Sequence, residues 1–324
     1  MSAVTKNRQS FETIQKMVEK AFGEVIVAED KVKELEGGYC NIVYEIILDQ
    51  ERQYILKIAP ASNVLMMRYE KDLLKTEVTI LKLMEDMTDI PVPKVLYCDD
   101  SCKVCNSPYF FMTKVEGECY QEIKDRLTPE ENLRIRMELG KYNKAMNDLT
   151  GTCFGIPGIE ETMTNSWRTS MLRLFRMVLD DGIRAGSNLL SITYDGMWGI
   201  VCSRSGVFDE VVTPQLIHWD LWEGNVFIKD KKISGIIDFE RALYGDYLME
   251  YEFAGVDKPN DSFEKGYGKS RYTKSELVRR SLYRIYRYLI MMIECDYRKY
   301  DDNWQYKWSA EMLRKELEYL DGLD

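Results

Sequence analysis

Residues 215–246 read QLIHWDLWEGNVFIKDKKISGIIDFERALYGD. The runs QLIHW and ISGIIDF have the apolar character of buried strands, and the polar residues Asp220, Asn225 and Asp238 stand at or just beyond their ends. A lone carboxylate at the end of a buried strand is costly unless a cation compensates its charge. Oxygen ligands of this kind are the ones that Mg²⁺ prefers, so the stretch predicts a cation site. Asp and Asn also favour ordinary turns, which is the alternative interpretation.

The composition is typical of a globular cytoplasmic protein. The 324 residues are 45% apolar and 30% charged, and they suffice for one large domain or two lobes. No apolar run is long enough to span a membrane, and the start MSAVTKNRQSFETIQ lacks the apolar stretch of a secretory signal. Eight cysteines without the spacing of a disulfide scaffold suit reduced thiols. We therefore expect a cytoplasmic location and no membrane partner.

Charge and histidine content exclude several classes of function. The net charge of −10 disfavours nucleic-acid binding and is compatible with a cationic ligand. The single histidine, His218, excludes HExxH zinc sites, which need two histidines, and disfavours His-based catalytic triads. The cysteines at 98, 102 and 105 match no paired zinc knuckle, so free thiols are expected. The acidic residues of DYLMEYEF, 246–253, are expected to lie mainly on a solvated surface.

The first third of the chain has the pattern of a sheet with helices. Ser10 and Gly23 are suited to cap a helix between them. Five strand patterns follow, and a helix is predicted over 63–87, where apolar residues recur at helical spacing. The strand patterns are VKELE, IVYEIIL, RQYILKIAP, VPKVLYCDD and SPYFFMTKV.

The remainder of the chain is rich in helix patterns. Capping boxes begin two of the predicted helices, one formed by Thr128 with Glu131 and one by Thr273 with Glu276. Further helices are predicted within 164–186 and 309–320. The sequence therefore predicts an α+β protein with two lobes. The N-terminal lobe comprises 1–115, an antiparallel sheet carrying a helix, and the C-terminal lobe comprises 116–324 and is mainly helical.

Two features of the first lobe are suited to bind phosphate. Gly37 and Gly38 lie between two strand patterns, where backbone N–H groups can approach a phosphate closely, although glycine pairs are common in hairpins. Lys57 lies in mid-strand among apolar neighbours, and its ammonium group needs a counter-charge if it is buried. Glu77 on the following helix is the candidate partner, whereas Glu70 and Glu85 on the same predicted helix are less well placed relative to its apolar face. The alternative for Lys57 is a solvent-facing position on an edge strand.

Taken together, these motifs resemble the aminoglycoside phosphotransferase family, small-molecule relatives of the protein kinases. The resemblance rests on the order of a Gly-rich turn, a strand Lys, a helix Glu, HWDLWEGN and IDF, and it covers about 35–245. It implies a bilobal protein-kinase-like fold. No A-P-E motif or long activation segment follows Asp238, so a protein kinase is not expected.

The resemblance implies roles for the residues of the opening stretch. Asp220 matches the catalytic aspartate that orients the acceptor hydroxyl or accepts its proton, and Asn225 and Asp238 match the Mg²⁺ ligands. His218 is expected to hydrogen-bond the catalytic loop. Trp219 departs from the family pattern, which usually has Gly there, and its ring can either pack against the loop or narrow the substrate cleft.

The resemblance also implies a nucleotide site between the lobes. Lys57 would contact the α- and β-phosphates, held by Glu77. Met112 would lie at the back of the adenine pocket, and the backbone groups of Thr113 and Val115 would bind the base. The same stretch also fits an ordinary buried strand.

The implied activity is transfer of the γ-phosphoryl group of ATP or GTP, with Mg²⁺, to a small hydroxylated acceptor. An aminoglycoside is the first candidate acceptor, which would make the protein an antibiotic-resistance enzyme. A metabolic kinase for an amino alcohol, amino acid, sugar or fructosamine is the alternative, since fructosamine kinases carry a similar D-L-W-x-G-N run. A nucleotide-binding pseudokinase is a third hypothesis, which the joint presence of Lys57, Asp220, Asn225 and Asp238 disfavours.

Overall fold

A five-stranded antiparallel sheet forms the first part of the chain, as predicted. The structure is a computed structural model and describes residues 5–35, 40–48, 52–253, 262–300 and 303–323. The strands lie in the order β1-β2-β3-β5-β4. Their bounds are β1 Val32–Glu34, β2 Ile42–Ile47, β3 Gln53–Ile58, β4 Val95–Asp99 and β5 Tyr109–Thr113. The sheet thus ends close to the predicted lobe boundary at 115/116, which itself stays a prediction.

Two helices pack on this sheet, and one of them is shorter than predicted. Helix α1 spans Phe11–Phe22, between the Ser10 cap and Gly23 in the left-handed conformation. Helix α2 spans Leu73–Met87, so the prediction of a helix from residue 63 is wrong for its first ten residues. Asp72 has a φ of 57°, which breaks the helix there, and 68–70 form a separate 3₁₀ turn. The side chains of that turn bind distant helices, and these contacts override the local helical pattern.

The rest of the chain is mainly helical and carries two small sheets. Both predicted capping boxes form, at Thr128 with Glu131 and at Thr273 with Glu276. The helices are α3 Tyr120–Ile123, α4 Pro129–Asn147, α5 Trp167–Ala185, α6 Tyr194–Arg204, α7 Ser262–Tyr267, α8 Lys274–Arg298 and α9 Trp304–Asp321. The strands β6 Glu118–Cys119, β8 Val226–Lys229 and β9 Lys232–Ile236 form one sheet, and β7 Gln215–Ile217 pairs with β10 Leu243–Gly245. None of the helices in the described ranges combines the length and apolarity needed to span a membrane.

The position of Lys57 follows from the two hydrophobic cores beside the sheet. Side chains along β3 alternate between its faces. Leu56 and Ile58 belong to the smaller core, which α1 covers, whereas Ile55 belongs to the larger core, which extends through α2 into the C-terminal helices. Lys57 shares the face of Ile55 and therefore points toward α2, where Glu77 lies.

Helix α6 was not predicted, because Gly196 and Gly199 weaken its helical pattern and only two of its residues are buried. We expect Gly199→Ala to stabilise the protein by about 0.5–1 kcal/mol, since Ala has the higher helix propensity. An added Cβ at Gly199 has no neighbour within 4 Å. The free energy of unfolding, measured in urea, provides the test.

Gly140 in α4 is the matched control. A Cβ added there would lie 2.1 Å from the carbonyl oxygen of Phe263, so α4 and α7 would have to separate. Gly140→Ala should therefore destabilise the protein by about 1–3 kcal/mol, the usual cost of overpacking. Equal changes in both variants would contradict this account of the two helices.

Candidate active site

An ion triad, buried at Lys57 and Glu77 and partly exposed at Asp238, joins the sheet, α2 and the loop after β9. The Nζ atom of Lys57 lies 2.6 Å from Oε1 of Glu77 and 2.6 Å from Oδ1 of Asp238. Burial alone would lower the pKa of Lys57, but the Asp238 and Glu77 carboxylates outweigh it and raise the pKa above the ordinary value. Burial raises the pKa of Glu77 to about 7, with Lys57 opposing the shift. Burial would also raise the pKa of Asp238, but the Lys57 ammonium holds it below its ordinary value.

The loop after β7 carries the second part of the site. The predicted strand runs end earlier than expected, at Ile217 and Ile236, so His218, Asp220 and Asp238 all lie in loops. The Nδ2 group of Asn225 donates to the Asp220 carbonyl oxygen at 2.9 Å and to Asp220 Oδ2 at 3.2 Å. The backbone N–H of Ile237 donates to the Asn225 carbonyl at 3.0 Å. The loop containing Asp220 and the loop containing Asp238 are therefore joined through Asn225.

His218 connects the same two loops through its ring. Its Nδ1 accepts from the backbone N–H of Asp220 at 3.2 Å, so Nε2 carries the proton and donates to the Ile237 carbonyl at 2.8 Å. The side chain is fully buried, and burial lowers its pKa, which favours the neutral imidazole that this arrangement requires. His218 thus has the loop-supporting position expected from the sequence.

Glu250 accepts hydrogen bonds that hold the loop containing Asp220 in place. Its Oε2 accepts from the His218 backbone N–H at 3.0 Å and from Asn143 Nδ2 at 3.2 Å, while Oε1 accepts from the Tyr251 N–H at 2.9 Å. The residue is fully buried. The expectation of a solvated acidic surface at 246–253 is therefore wrong: Asp246 is also buried and bound to Arg279.

We expect Glu250→Gln to destabilise the protein by about 1–3 kcal/mol. The substitution replaces one acceptor oxygen by an NH₂ group that faces backbone N–H donors. Those buried N–H groups lose their hydrogen-bond acceptor, which is costly. Glu19→Gln, at an exposed position on α1, is the control and should leave the free energy of unfolding within about 0.5 kcal/mol of the original. The free energy of unfolding of both variants is measured in urea. Equal values for Glu250→Gln and Glu19→Gln would show that Glu250 does not hold the loop.

A cluster of carboxylates that shares Glu77 and Asp238 with the triad is suited to hold a divalent cation. One oxygen from each of Glu77, Asp238 and Glu240 lies within 4.8 Å of the other two. Glu77 Oε2 is buried and has no hydrogen-bond partner among the described residues. Burial raises the pKa of Glu240 to about 8, and Asn41 Nδ2 donates to its Oε2 at 2.5 Å. This set of hard oxygen donors fits Mg²⁺. Glu240 was not singled out in the sequence, because a Glu two residues after Asp238 has no distinctive signal there.

The Asp220 carboxylate lies within electrostatic range of Asp238, a member of this cluster, and of Arg241. Burial raises its pKa to about 6, a shift that Arg241 opposes and Asp238 adds to. Trp219, immediately before it, has a φ of 64°, a conformation that bulky L-residues rarely adopt and that costs on the order of 1–3 kcal/mol. The Trp219 ring is buried between Tyr69 and Tyr286. Of the two alternatives for this ring, the structure shows packing.

The predicted base-binding residues lie at the end of β5, apart from the ion triad. Met112 is buried, and the backbone N–H of Thr113 donates to the Lys94 carbonyl at 3.0 Å, so this N–H already has a partner within the protein. Val115 packs so closely on β9 that a Cβ at Gly235 would lie 2.4 Å from its side chain. The predicted phosphate-binding Gly37 and Gly38 lie outside the described residues.

Comparison with known proteins assigns the family. The sequence model of the phosphotransferase enzyme family, APH, matches residues 31–182 and 206–268, well over half of the chain. The chain belongs to the APH phosphotransferase family. No curated protein sequence matches this APH-family enzyme significantly.

Solved structures similar to this APH-family enzyme include aminoglycoside phosphotransferases. The ternary complex of streptomycin, ATP and APH(2″)-IIa is 16% identical with a TM-score of 0.63, and the match covers 95% of this chain and 97% of that one. The GDP complex of wild-type aminoglycoside 2′-phosphotransferase-IIIa is 16% identical with a TM-score of 0.61, covering 95% and 98%. ADP-bound APH(2″)-Ib is 15% identical with a TM-score of 0.60, covering 96% and 97%. These likenesses confirm the kinase-like α+β fold that the sequence predicted.

The geometry links half of the predicted site residues of this APH-family enzyme, namely Lys57, Glu77 and Asp238 in the triad and Asp220 and Asn225 in the adjoining loop. Lys57 pairs with Glu77, whereas the other two helix candidates are used elsewhere: Glu70 binds Arg298 and Glu85 binds Lys94. The residues that sequence reasoning missed are the buried Glu240 and Glu250. Both are acidic residues within a charged stretch, where nothing in the residue types separates buried from solvated carboxylates.

Proposed function

We propose that this APH-family enzyme transfers the γ-phosphoryl group of ATP or GTP, in a Mg²⁺-dependent reaction, to a hydroxyl group of a small molecule, with an aminoglycoside antibiotic as the first candidate. The observation that carries the proposal is the joining of the Lys57–Glu77–Asp238 triad to the Asp220–Asn225 loop. Phosphoryl transfer depends mainly on positioning and on neutralising charge on oxygens, and this site offers groups for both.

Each residue has a distinct task in the proposed reaction. Asp220 orients the acceptor hydroxyl and accepts its proton. Lys57, fixed by Glu77, binds phosphate oxygens of the nucleotide. Asn225 and Asp238 hold Mg²⁺, with Glu240 close enough to Asp238 to contribute an oxygen. When bound, the cation neutralises charge on the nucleotide phosphates.

The nucleotide is proposed to bind between 1–115 and 116–324, with the base near Met112, Thr113 and Val115. The named relatives support the nucleotide, because their structures contain ATP, GDP or ADP. We place the enzyme in the cytoplasm, where the free thiols of all eight cysteines persist.

Two observations support a cationic acceptor such as an aminoglycoside. The chain has a net charge of −10, and solved relatives are complexes with streptomycin, kanamycin and gentamicin. Resistance to an aminoglycoside would then be the biological outcome. A metabolic kinase of the fructosamine type is the second candidate, because residues 220–225 read DLWEGN, like the run in those enzymes.

An acceptor screen tests the proposal. Release of ADP or GDP is measured with ATP or GTP against aminoglycosides, amino alcohols, amino acids, sugars and fructosamines, with and without EDTA. We expect release that depends on both acceptor and Mg²⁺, and on an aminoglycoside in particular. Nucleotide consumption with a sugar or fructosamine alone would assign the metabolic alternative. No consumption with any acceptor, alongside a rise in thermal stability with nucleotide, would favour a pseudokinase.

A further inference from the structure

The segment between β3 and α2 leaves the N-terminal sheet and packs against helices α5 and α8. The Arg68 backbone N–H and Nε both donate to the Asp181 carboxylate on α5 at 2.8 Å, and its Nη2 donates to the Met177 carbonyl at 2.7 Å. Two residues later, Glu70 forms an ion pair with Arg298 near the end of α8, with both side chains almost fully buried. Two contacts between distant parts of the chain therefore fix this turn in place.

Tyr69 lies between these two ion pairs and is 1% exposed. Its ring meets the Trp219 ring edge-on, with centroids 6.0 Å apart, and the Arg241 guanidinium lies 5.7 Å from the Tyr69 centroid. Trp219 in turn stacks on Tyr286 of α8 at 5.7 Å. The Trp219 ring is thus held on one side by the N-terminal segment and on the other by a C-terminal helix.

This aromatic packing has a specific consequence at position 219. The left-handed backbone at Trp219 is unfavourable for a side chain of this size, so contacts of its ring must hold it there. Asp220 directly follows Trp219 in the chain. The Asp220 backbone N–H donates to Nδ1 of His218, the residue before Trp219. A displacement of the Trp219 ring would rotate the peptide that carries Asp220.

We propose that Tyr69 is a positioning residue for Asp220, acting through Trp219. The inference rests on the proposed function, in which Asp220 orients the acceptor hydroxyl. Because α2 begins at Leu73 and carries Glu77, the segment that places Tyr69 also leads directly into the partner of Lys57. The packing of this segment on α5 and α8 therefore connects Glu77 and Lys57, on the proposed phosphate-binding side of the site, with Asp220 on the proposed acceptor side.

Steady-state kinetics of three variants test the proposal, with the acceptor that the screen identifies. Tyr69→Ala should lower kcat on the order of 10- to 100-fold, the effect of a small misplacement of a reacting group, while the KM for nucleotide changes less than about threefold. Tyr69→Phe should keep nearly full activity, because the ring makes the contacts and, within the described residues, the hydroxyl makes just one long hydrogen bond, of 3.4 Å to Glu70. Tyr109→Ala, equally buried beneath the far face of the sheet, is the matched control and should lose stability with kcat retained.

A double-mutant cycle separates positioning from a general loss of packing. Trp219→Gly, which allows the left-handed backbone without a ring, should lower kcat about tenfold, and Tyr69→Ala should cost little more in that background. If the double variant loses the product of the two single-variant losses in kcat, Tyr69 and Trp219 act independently and the proposal is overturned. Full activity of Tyr69→Ala would also overturn it. If Tyr69→Ala does not fold, Tyr69→Leu takes its place, and if neither folds, full activity of Trp219→Gly alone overturns it. Asp220→Asn in the same assay distinguishes the positioning role of Tyr69 from the proposed function. Full activity of Asp220→Asn would contradict the proposed function, whatever the activity of the Tyr69 variants.

Discussion

Replacing Asp220 by Asn should lower kcat by about 10²- to 10⁴-fold, the usual contribution of a positioned acid–base group, while leaving the fold and nucleotide binding intact. Asn has nearly the same shape as Asp and can still accept the 3.2 Å hydrogen bond from Asn225 through its side-chain oxygen. It cannot accept a proton from the acceptor hydroxyl, however. The loss should appear in kcat with little change in the KM for nucleotide.

Asp195→Asn makes the same chemical change at an exposed position on α6 and serves as the control. It should leave kcat within about twofold of the original, since surface substitutions away from a site rarely matter. Thermal stability with and without nucleotide, measured for both variants, reports on folding and binding separately. Phosphotransfer by Asp220→Asn at the original rate would show that another group orients the acceptor.

The elements that sequence alone predicted well are the ones that local chemistry specifies. Ser10 and Gly23 bound α1 because one side-chain oxygen and one left-handed residue satisfy the free backbone groups at a helix end. The box formed by Thr273 and Glu276 begins α8 for the same reason. These signals lie within three or four residues of the element they delimit, so no knowledge of the fold was needed.

The segment 63–72 shows where local patterns stop being sufficient. Its composition favours a helix, yet Arg68 and Glu70 bind Asp181 and Arg298, more than 100 residues further along the chain. These distant contacts, together with the burial of Tyr69 between them, outweigh helix propensity, which amounts to only a few tenths of a kcal/mol per residue. Such partners are not readable from a window of the sequence.

The site divides in the same way. Asp220, Asn225 and Asp238 could be singled out because HWDLWEGN and IDF place fixed residue types at a fixed spacing, and the structure joins their two loops through Asn225, while their roles stay predictions. Glu240 and Glu250 could not, because their identity as buried carboxylates depends on Asn41, Asn143 and backbone groups brought from elsewhere. The residues predicted to contact the substrates thus carry a local sequence signature, whereas the buried carboxylates around them are defined by the fold.

Asp238→Asn should have an effect as large as that of Asp220→Asn, for a different reason. The substitution removes the charge that binds the proposed Mg²⁺ and faces Lys57 at 2.6 Å, while Asn remains compatible with the φ of 71° at this position. Charge stabilisation by a bound cation is worth several kcal/mol, so phosphotransfer should fall about 10³-fold or more. Lys57 keeps Glu77 as its partner, so the protein should still fold.

The decisive measurement is the rise in melting temperature caused by ADP, with Mg²⁺ and with EDTA. In the original protein Mg²⁺ should add to the stabilisation by ADP, and in Asp238→Asn that added increment should disappear. Asp230→Asn is a matched control, because Asp230 has a φ of 51° in the exposed turn between β8 and β9, so the same substitution occurs in the same backbone conformation. An unchanged Mg²⁺ increment in Asp238→Asn would remove Asp238 from the proposed cation site. It would leave Glu240 and Asn225 as the groups to test next, because the carboxylate of Glu240 belongs to the same buried cluster and Asn225 joins the two loops.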